Sequence, residues 1–406
     1  MDARTGLALR SEREAASGYN ALMSDERPPW LFPSAAYVHV PFCAHHCGYC
    51  DFAVAVGQDE RIDAYLEALE IELSLLKEPQ PMRTIFFGGG TPTYLPHRPL
   101  ERVLRLVQRW LPLEPGHEFS AEANPSYLDA EKIALLTEFG VNRLSLGVQS
   151  FDPALLQTLE RDHRPDDVLR VLEFIRPRIA NVSLDLIFGV PGQTFDQWRR
   201  DLDRALELKP KHIATYGLTY EKGTRLWKQR ERGQVQALGE ETEYRFYTHA
   251  MDALTAAGFE HYEISNFALP GYRCRHNQVY WANHAYYGFG VGAARYVNGV
   301  RELNTRDTRT YIQRLNSGKS PTFQSEKLEP RERAIETIAV QLRRADGIRR
   351  EEFLLQTGFA VDDLVGAKIA DLVVQELLCD DGRAVTLTRR GNCLADAIVE
   401  ALMRFS

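Results

Sequence analysis

The sequence predicts an α/β protein, a partial (β/α)6 barrel followed by a small, winged-helix-like α+β domain. Two patterns predict it. From Ala36 to about Thr219, short β-rich runs alternate with segments whose apolar residues recur at helical spacing, and beyond Pro321 helices take over, interrupted by one hairpin. At 406 residues the chain is also long enough for one large unit and a smaller one.

Six runs read as strands: Ala36 to Val40, Thr84 to Phe87, Glu118 to Ala123, Arg143 to Gly147, Val182 to Phe188 and His212 to Leu218. Helical spacing appears between them at Arg61 to Lys77, Pro99 to Trp110, Asp129 to Phe139 and Phe195 to Leu208. Six such units are too few for a closed eightfold barrel. A further helix, about Thr242 to Ala257, leads to an aromatic and glycine-rich stretch from Tyr272 to Tyr296. Helices at Arg331 to Arg344, Glu351 to Gln356, Asp362 to Leu378 and Gly391 to Met403, with a turn at Asp380-Asp381-Gly382, complete the chain. The expected division is a mobile tail (1–34), a barrel (35–260), a connecting region (261–320) and a C-terminal domain (321–406).

Composition narrows the function. A net charge of −7 gives no overall attraction to phosphate backbones, and Glu351, Glu352, Asp362, Asp363 and Asp371 make DNA a poor partner for the C-terminal domain. The first thirty residues hold Arg4, Arg10, Glu12, Arg13 and Glu14 and no signal-peptide core, and no run matches a membrane helix. The expectation is a cytoplasmic protein without nucleic-acid partners. Six unevenly spaced cysteines do not suggest a disulfide framework, and Cys274, Cys379 and Cys393 read as scattered thiols.

In a parallel β-α barrel, ligands bind at the carboxyl ends of the strands. After the first predicted strand comes Cys43-Ala-His-His-Cys47-Gly-Tyr-Cys50, with spacing C-x3-C-x2-C. Three thiolates in one tight loop suit a soft metal centre. A four-iron cubane held this way keeps one iron without a protein ligand, open to the amino and carboxylate groups of S-adenosylmethionine. The competing reading is a Cys3His zinc site using His45 or His46, although the paired second half usual in zinc motifs is missing. The second strand ends in Gly88-Gly89-Gly90-Thr91-Pro92, which serves equally as a turn or as a close approach of backbone to ligand. Glu122, Gln149, Arg161 and Asp185 stand at or just after later strand ends, as ligand-binding or as surface groups.

The string Tyr37-Val38-His39-Val40-Pro41-Phe42-Cys43 through Cys50-Asp51-Phe52 resembles the radical SAM superfamily, in its coproporphyrinogen-oxidase-like branch. The resemblance extends from Ala36 to the C-terminal domain. It implies a radical SAM barrel with a [4Fe-4S] cluster on Cys43, Cys47 and Cys50. It further implies S-adenosylmethionine contacts from Tyr37, Tyr49, Gly88, Gly89, Gly90, Thr91, Glu122, Gln149, Arg161 and Asp185. In the family the counterpart of Arg161 pairs with the ligand's carboxylate, which suits a planar guanidinium.

Within that branch two functions compete. One is oxygen-independent coproporphyrinogen III oxidase, a radical oxidoreductase of heme biosynthesis. The other is a heme chaperone that passes heme to acceptor proteins. Where the oxidase has a fourth cysteine this chain has Phe52, which argues for the chaperone. His276-Asn277-Gln278-Val279-Tyr280-Trp281 resembles the chaperone segment H-N-x-x-Y-W, and the resemblance implies heme contact there. His276 is then the expected iron ligand, Tyr280 and Trp281 the porphyrin-facing aromatics, and Cys274 an alternative thiolate. Gly288 to Ala293 resembles the family's glycine-rich segment, with Ala294 where many relatives carry His. The implied partners are heme, its acceptor proteins and an electron donor. No catalytic residue is assigned.

Overall fold

The computed structural model describes residues 28–404, so most of the expected N-terminal tail, residues 1–27, lies outside the described part. The remainder of that tail is not loose. Pro28 is buried, the Pro29 carbonyl accepts from Ala285 N–H at 2.9 Å, and the Ser34 carbonyl accepts from Arg83 N–H at 2.8 Å.

All six expected strands form, and they lie side by side as parallel neighbours. In chain order they are β1 (Ala35–Val40), then, after the two-residue pair β2 (Phe42–Cys43) and β3 (Ala55–Val56), β4 (Met82–Gly89), β5 (Leu113–Ala123), β6 (Arg143–Gln149), β7 (Asn181–Phe188) and β8 (His212–Gly217). Three later strands join the same sheet. β9 (Glu260–Glu263) and β10 (Asn266–Ala268) add antiparallel to the β8 edge, and β11 (Tyr287–Phe289) adds parallel to β1. The order β11-β1-β4-β5-β6-β7-β8-β10-β9 leaves the sheet open between β11 and β9. The expected connecting region, 261–320, is therefore partly built into the barrel sheet.

The strands read as apolar runs because both faces are covered: in β1 five of six residues are buried, and in β4 six of eight. The helix His97–Trp110 shows how the outer layer forms. Leu100, Val103, Leu104 and Val107 recur on one face and are fully buried, while the arginines lie opposite. Each such leucine contributes roughly 1.5–3 kcal/mol on burial. The helix Pro165–Ile175, absent from the sequence-based set, starts with Pro165 at its first position and a capping box through Asp167.

One buried acid ties the early barrel to the late segment. Glu72, on the helix Ile62–Ser74, is 1% exposed and accepts from Gly290 N–H (2.7 Å), Asn304 Nδ2 (2.7 Å) and the Tyr311 hydroxyl (2.6 Å). A side chain at Gly290 would meet the Tyr65 hydroxyl at 2.5 Å, so the glycine-rich segment is here a packing device.

A second sheet, β12 (Ala294–Val297), β13 (Val300–Asn304) and β14 (Thr322–Lys327), follows, and the chain ends in helices around β15 (Ile348–Arg349), β17 (Ala384–Leu387) and β16 (Leu378–Asp380), in that sheet order. This last part has its own core, which includes Ile338, Phe353, Ile369 and Leu402. It grips the turn after the helix Arg275–Trp281: the Gln341 and Gln356 side-chain amides both donate to the Ala282 carbonyl at 3.1 Å.

Candidate functional site

The cysteine loop leaves β1 through Pro41 and is anchored along the glycine end of β4. Gly90 N–H donates to Val40 O (2.8 Å) and Thr91 N–H to Phe42 O (3.0 Å). None of the three glycines is an incidental turn residue. A Cβ at Gly88 would press on the Tyr37 ring and the Glu122 carboxyl at 3.0 Å, one at Gly89 would enter the His39 ring, and one at Gly90 would meet Pro41 O at 2.5 Å.

Cys43, Cys47 and Cys50 all line one cavity of about 890 Å³. Cys43 Sγ lies 3.5 Å from the Thr91 hydroxyl, and Cys47 Sγ accepts from Arg161 Nη1 at 3.4 Å. Burial pushes the Cys43 thiol up to about 12 and the Cys50 thiol up to about 11, so thiolates here call for a cationic partner. The two histidines considered for zinc lie on the same cavity lining but have other neighbours. His46 Nε2 bonds the Cys50 carbonyl at 3.0 Å, and His45 lies 3.9 Å from Glu160.

The same cavity gathers Tyr37, Tyr49, Gly89, Gly90, Thr91 and Glu122 with Gln149, Arg161 and Asp185; of the residues expected to hold S-adenosylmethionine, Gly88 alone stays behind the wall. They come from five neighbouring parallel strands, β1, β4, β5, β6 and β7, and from the loops that carry Tyr49 and Arg161. Tyr49 packs against the apolar cluster of Leu155, Ile187 and Leu226. Gln149 ends β6 with φ of 64°, a left-handed conformation that re-aims its side chain. Glu122 accepts from Gly89 N–H at 3.0 Å, and burial pushes its carboxyl up to about 8. Asp185 accepts from Ser145 (2.8 Å) and Ser183 (2.8 Å), and burial raises it as well. Arg161 Nη2 donates to the Gly147 carbonyl at 2.8 Å, but its buried Nε has no partner.

The sequence did not single out His39, which orients this wall. Its Nε2 donates to the Ala53 carbonyl (2.8 Å), so Nδ1 accepts from the Tyr37 hydroxyl (3.0 Å). Burial lowers this imidazole to about 4, keeping it neutral. The signal for it was local: a polar residue inside an otherwise apolar strand, where burial demands a partner.

The expected heme segment is placed differently from the sequence reading. His276 is fully buried, with Nδ1 bonded to the Thr84 hydroxyl (2.9 Å) and Nε2 to the Tyr280 hydroxyl (2.7 Å), so neither nitrogen is free for iron in this conformation. Cys274 is also fully buried and turns toward Glu118 at 3.5 Å. Trp281 lies under Arg343 of the C-terminal part, 5.9 Å from ring centroid to guanidinium carbon. Of this segment, Asn277 and Tyr280 face the cavity, joined there by Tyr286, Ala294 and the loop histidines His45 and His46.

Comparison with known proteins places this geometry in a family. The Radical SAM superfamily model matches residues 37–205 and the HemN C-terminal domain model residues 328–394. The heme chaperone HemW of Lactococcus lactis is 37% identical over 372 residues, covering 91% of this chain and 97% of that protein. The chain belongs to the HemW family. HemW of Bacillus subtilis is likewise 37% identical, over 91% of this chain and 99% of its own, and HemW of Escherichia coli is 30% identical over 92% and 99%. Among solved structures, coproporphyrinogen III oxidase (HemN) from Escherichia coli superposes with a TM-score of 0.81 over 93% of this chain and 91% of that one, at 22% identity. That likeness establishes the fold that this chain shares with the oxidase. Membership in the radical SAM superfamily implies a [4Fe-4S] cluster and S-adenosylmethionine as cofactors.

Proposed function

We propose that this chain is a heme chaperone: it binds heme and hands it to acceptor proteins, with a [4Fe-4S] cluster and S-adenosylmethionine at the barrel mouth. The observation that carries the proposal is the match to heme chaperones over nearly their whole length. Cys43, Cys47 and Cys50 hold the cluster in this reading. Arg161, with one unpartnered buried donor, takes the carboxylate of S-adenosylmethionine, and Tyr37, Tyr49, Glu122, Gln149 and Asp185 with the Gly88-Thr91 turn position the rest. Together the two cofactors supply one-electron cleavage of the sulfonium.

Phe52 supports the chaperone over the oxidase. It stands where the oxidase pattern has a fourth cysteine, 61% exposed on the cavity wall, and offers a flat apolar face for a porphyrin. Tyr216, Leu218 and Tyr286 extend this apolar lining, while Tyr280 presents the chaperone segment to the same space. The reading includes a cytoplasmic location and an electron donor; all six cysteines are free thiols, and among the described residues no helix is long and apolar enough to cross a membrane.

The test is anaerobic reconstitution followed by iron and sulfide analysis, heme titration and transfer to an apo heme protein. About four irons per chain, saturable heme binding and transfer are expected. Turnover of coproporphyrinogen III, or no heme retained on desalting, would defeat the proposal.

A further inference from the structure

Arg143 opens β6 in the barrel interior. It is 2% exposed and lines the cavity. Yet its guanidinium makes no hydrogen bond or ion pair to any described residue, and its buried Nε is without a partner. A guanidinium carries five donors and no acceptor, and its charge persists at any ordinary pH. Leaving such a group buried without an acceptor is costly.

The acids around it are already engaged. Both oxygens of Asp185 accept from Ser145, and Ser183 adds a third bond. Glu118 caps the start of the helix Arg275–Trp281, accepting from Arg275 N–H at 2.9 Å and His276 N–H at 3.0 Å. Glu122 and Asp185 are also shifted toward their neutral forms by burial. Arg143 is therefore a cation enclosed by carboxyls whose oxygens are directed to other donors. Asn277 and Tyr280 of the H-N-x-x-Y-W segment share its cavity wall.

We infer that Arg143, on the cavity lining that Asn277 shares, is a carboxylate-binding subsite. Two ligands of the proposed function carry that chemistry, heme through its propionates and S-adenosylmethionine through its own carboxylate. Arg161 already offers a free donor to the second, so the inference assigns a heme propionate to Arg143. This assignment rests on the chaperone reading, whereas the subsite itself does not.

The experiment compares heme with heme dimethyl ester on the reconstituted full chain, and S-adenosylmethionine in a separate arm. The wild type is expected to bind heme at least about tenfold more tightly than the ester, in line with one charge-assisted pair. Arg143→Gln should abolish that preference by weakening heme alone, leaving the ester and S-adenosylmethionine unchanged. Should Arg143→Gln fail to fold, Asn277→Asp, on the cavity wall, is expected to erode the preference by repelling a carboxylate. Loss of S-adenosylmethionine affinity with heme unchanged would uphold the subsite and move its ligand. Equal affinity for heme and ester, with S-adenosylmethionine indifferent to Arg143→Gln, overturns it. If neither heme nor ester binds, the chaperone reading fails, and the S-adenosylmethionine arm alone decides the subsite.

Discussion

Replacing Gly90 by Ala should empty the cluster site although no ligand is removed. The added Cβ would lie 2.5 Å from the Pro41 carbonyl oxygen, 2.6 Å from its carbon and 2.9 Å from Cys43 Sγ. Two of those atoms are backbone, so no rotamer change relieves the contact. Relief requires moving Pro41 to Cys43, a segment held by Gly90 N–H to Val40 O (2.8 Å), Thr91 N–H to Phe42 O (3.0 Å) and Ala55 N–H to Pro41 O (2.8 Å). Overpacking costs about 1–3 kcal/mol. Losing one of these bonds adds roughly 1 kcal/mol. The sum is on the order of 2–4 kcal/mol, or roughly 5 °C in Tm for a chain of this size. Iron and sulfide per chain after anaerobic reconstitution, with thermal melts of the metal-free protein, measure both consequences. Gly366→Ala is the comparator. It lies in the helix Val361–Val374, where the new Cβ meets only the Asp362 side chain, at 3.3 Å, and where Ala gains about 0.5–1 kcal/mol over Gly. Wild-type iron and melting in Gly90→Ala would refute the claim that this glycine seats the cysteine loop.

Two further outcomes follow from buried groups. His276→Ala removes bonds to Thr84 and Tyr280 and is expected to destabilise the fold by about 2–4 kcal/mol; heme occupancy should fall with no change in Soret wavelength, and a shifted band would reinstate His276 as the iron ligand. Asp201, 2% exposed and bonded to Ser150 Oγ (2.6 Å) and Phe151 N–H (2.7 Å), is pushed up to about 6 by burial. The folded chain thus holds this proton more tightly than the unfolded one, whose aspartate titrates near about 3.9. The stabilisation is complete below that value and is lost as pH rises through about 6. Asp201→Asn, neutral throughout, should gain on the order of 2 kcal/mol relative to wild type between pH 4 and pH 8 in urea melts. A variant that loses ground as pH rises would contradict the assignment.

What the sequence disclosed depended on whether a signal was local. The six parallel strands were legible because a strand covered on both faces is a continuous apolar run, and the cysteine loop because three thiols within a span of eight residues are a chemical statement in themselves. β11 was not legible, since three residues inside a glycine-rich stretch show no period; its place is set by pairing with β1, some 250 residues earlier. The setting of His276 was illegible for the same reason: its partner Thr84 stands 192 positions away, and only the β4 register brings the two together. Arg143 opens a predicted strand, and its burial as a cation shows only once β5 and β7 close around β6. The H-N-x-x-Y-W segment then acquires a different logic. Glu118 caps its helix, His276 holds the Tyr280 hydroxyl, and the C-terminal part grips Ala282, so the motif's most conspicuous side chain serves to aim the less conspicuous Asn277 and Tyr280 into the cavity. With both ring nitrogens engaged, the motif histidine shapes the cavity wall through its neighbours, which is why spectral position and occupancy must be measured separately.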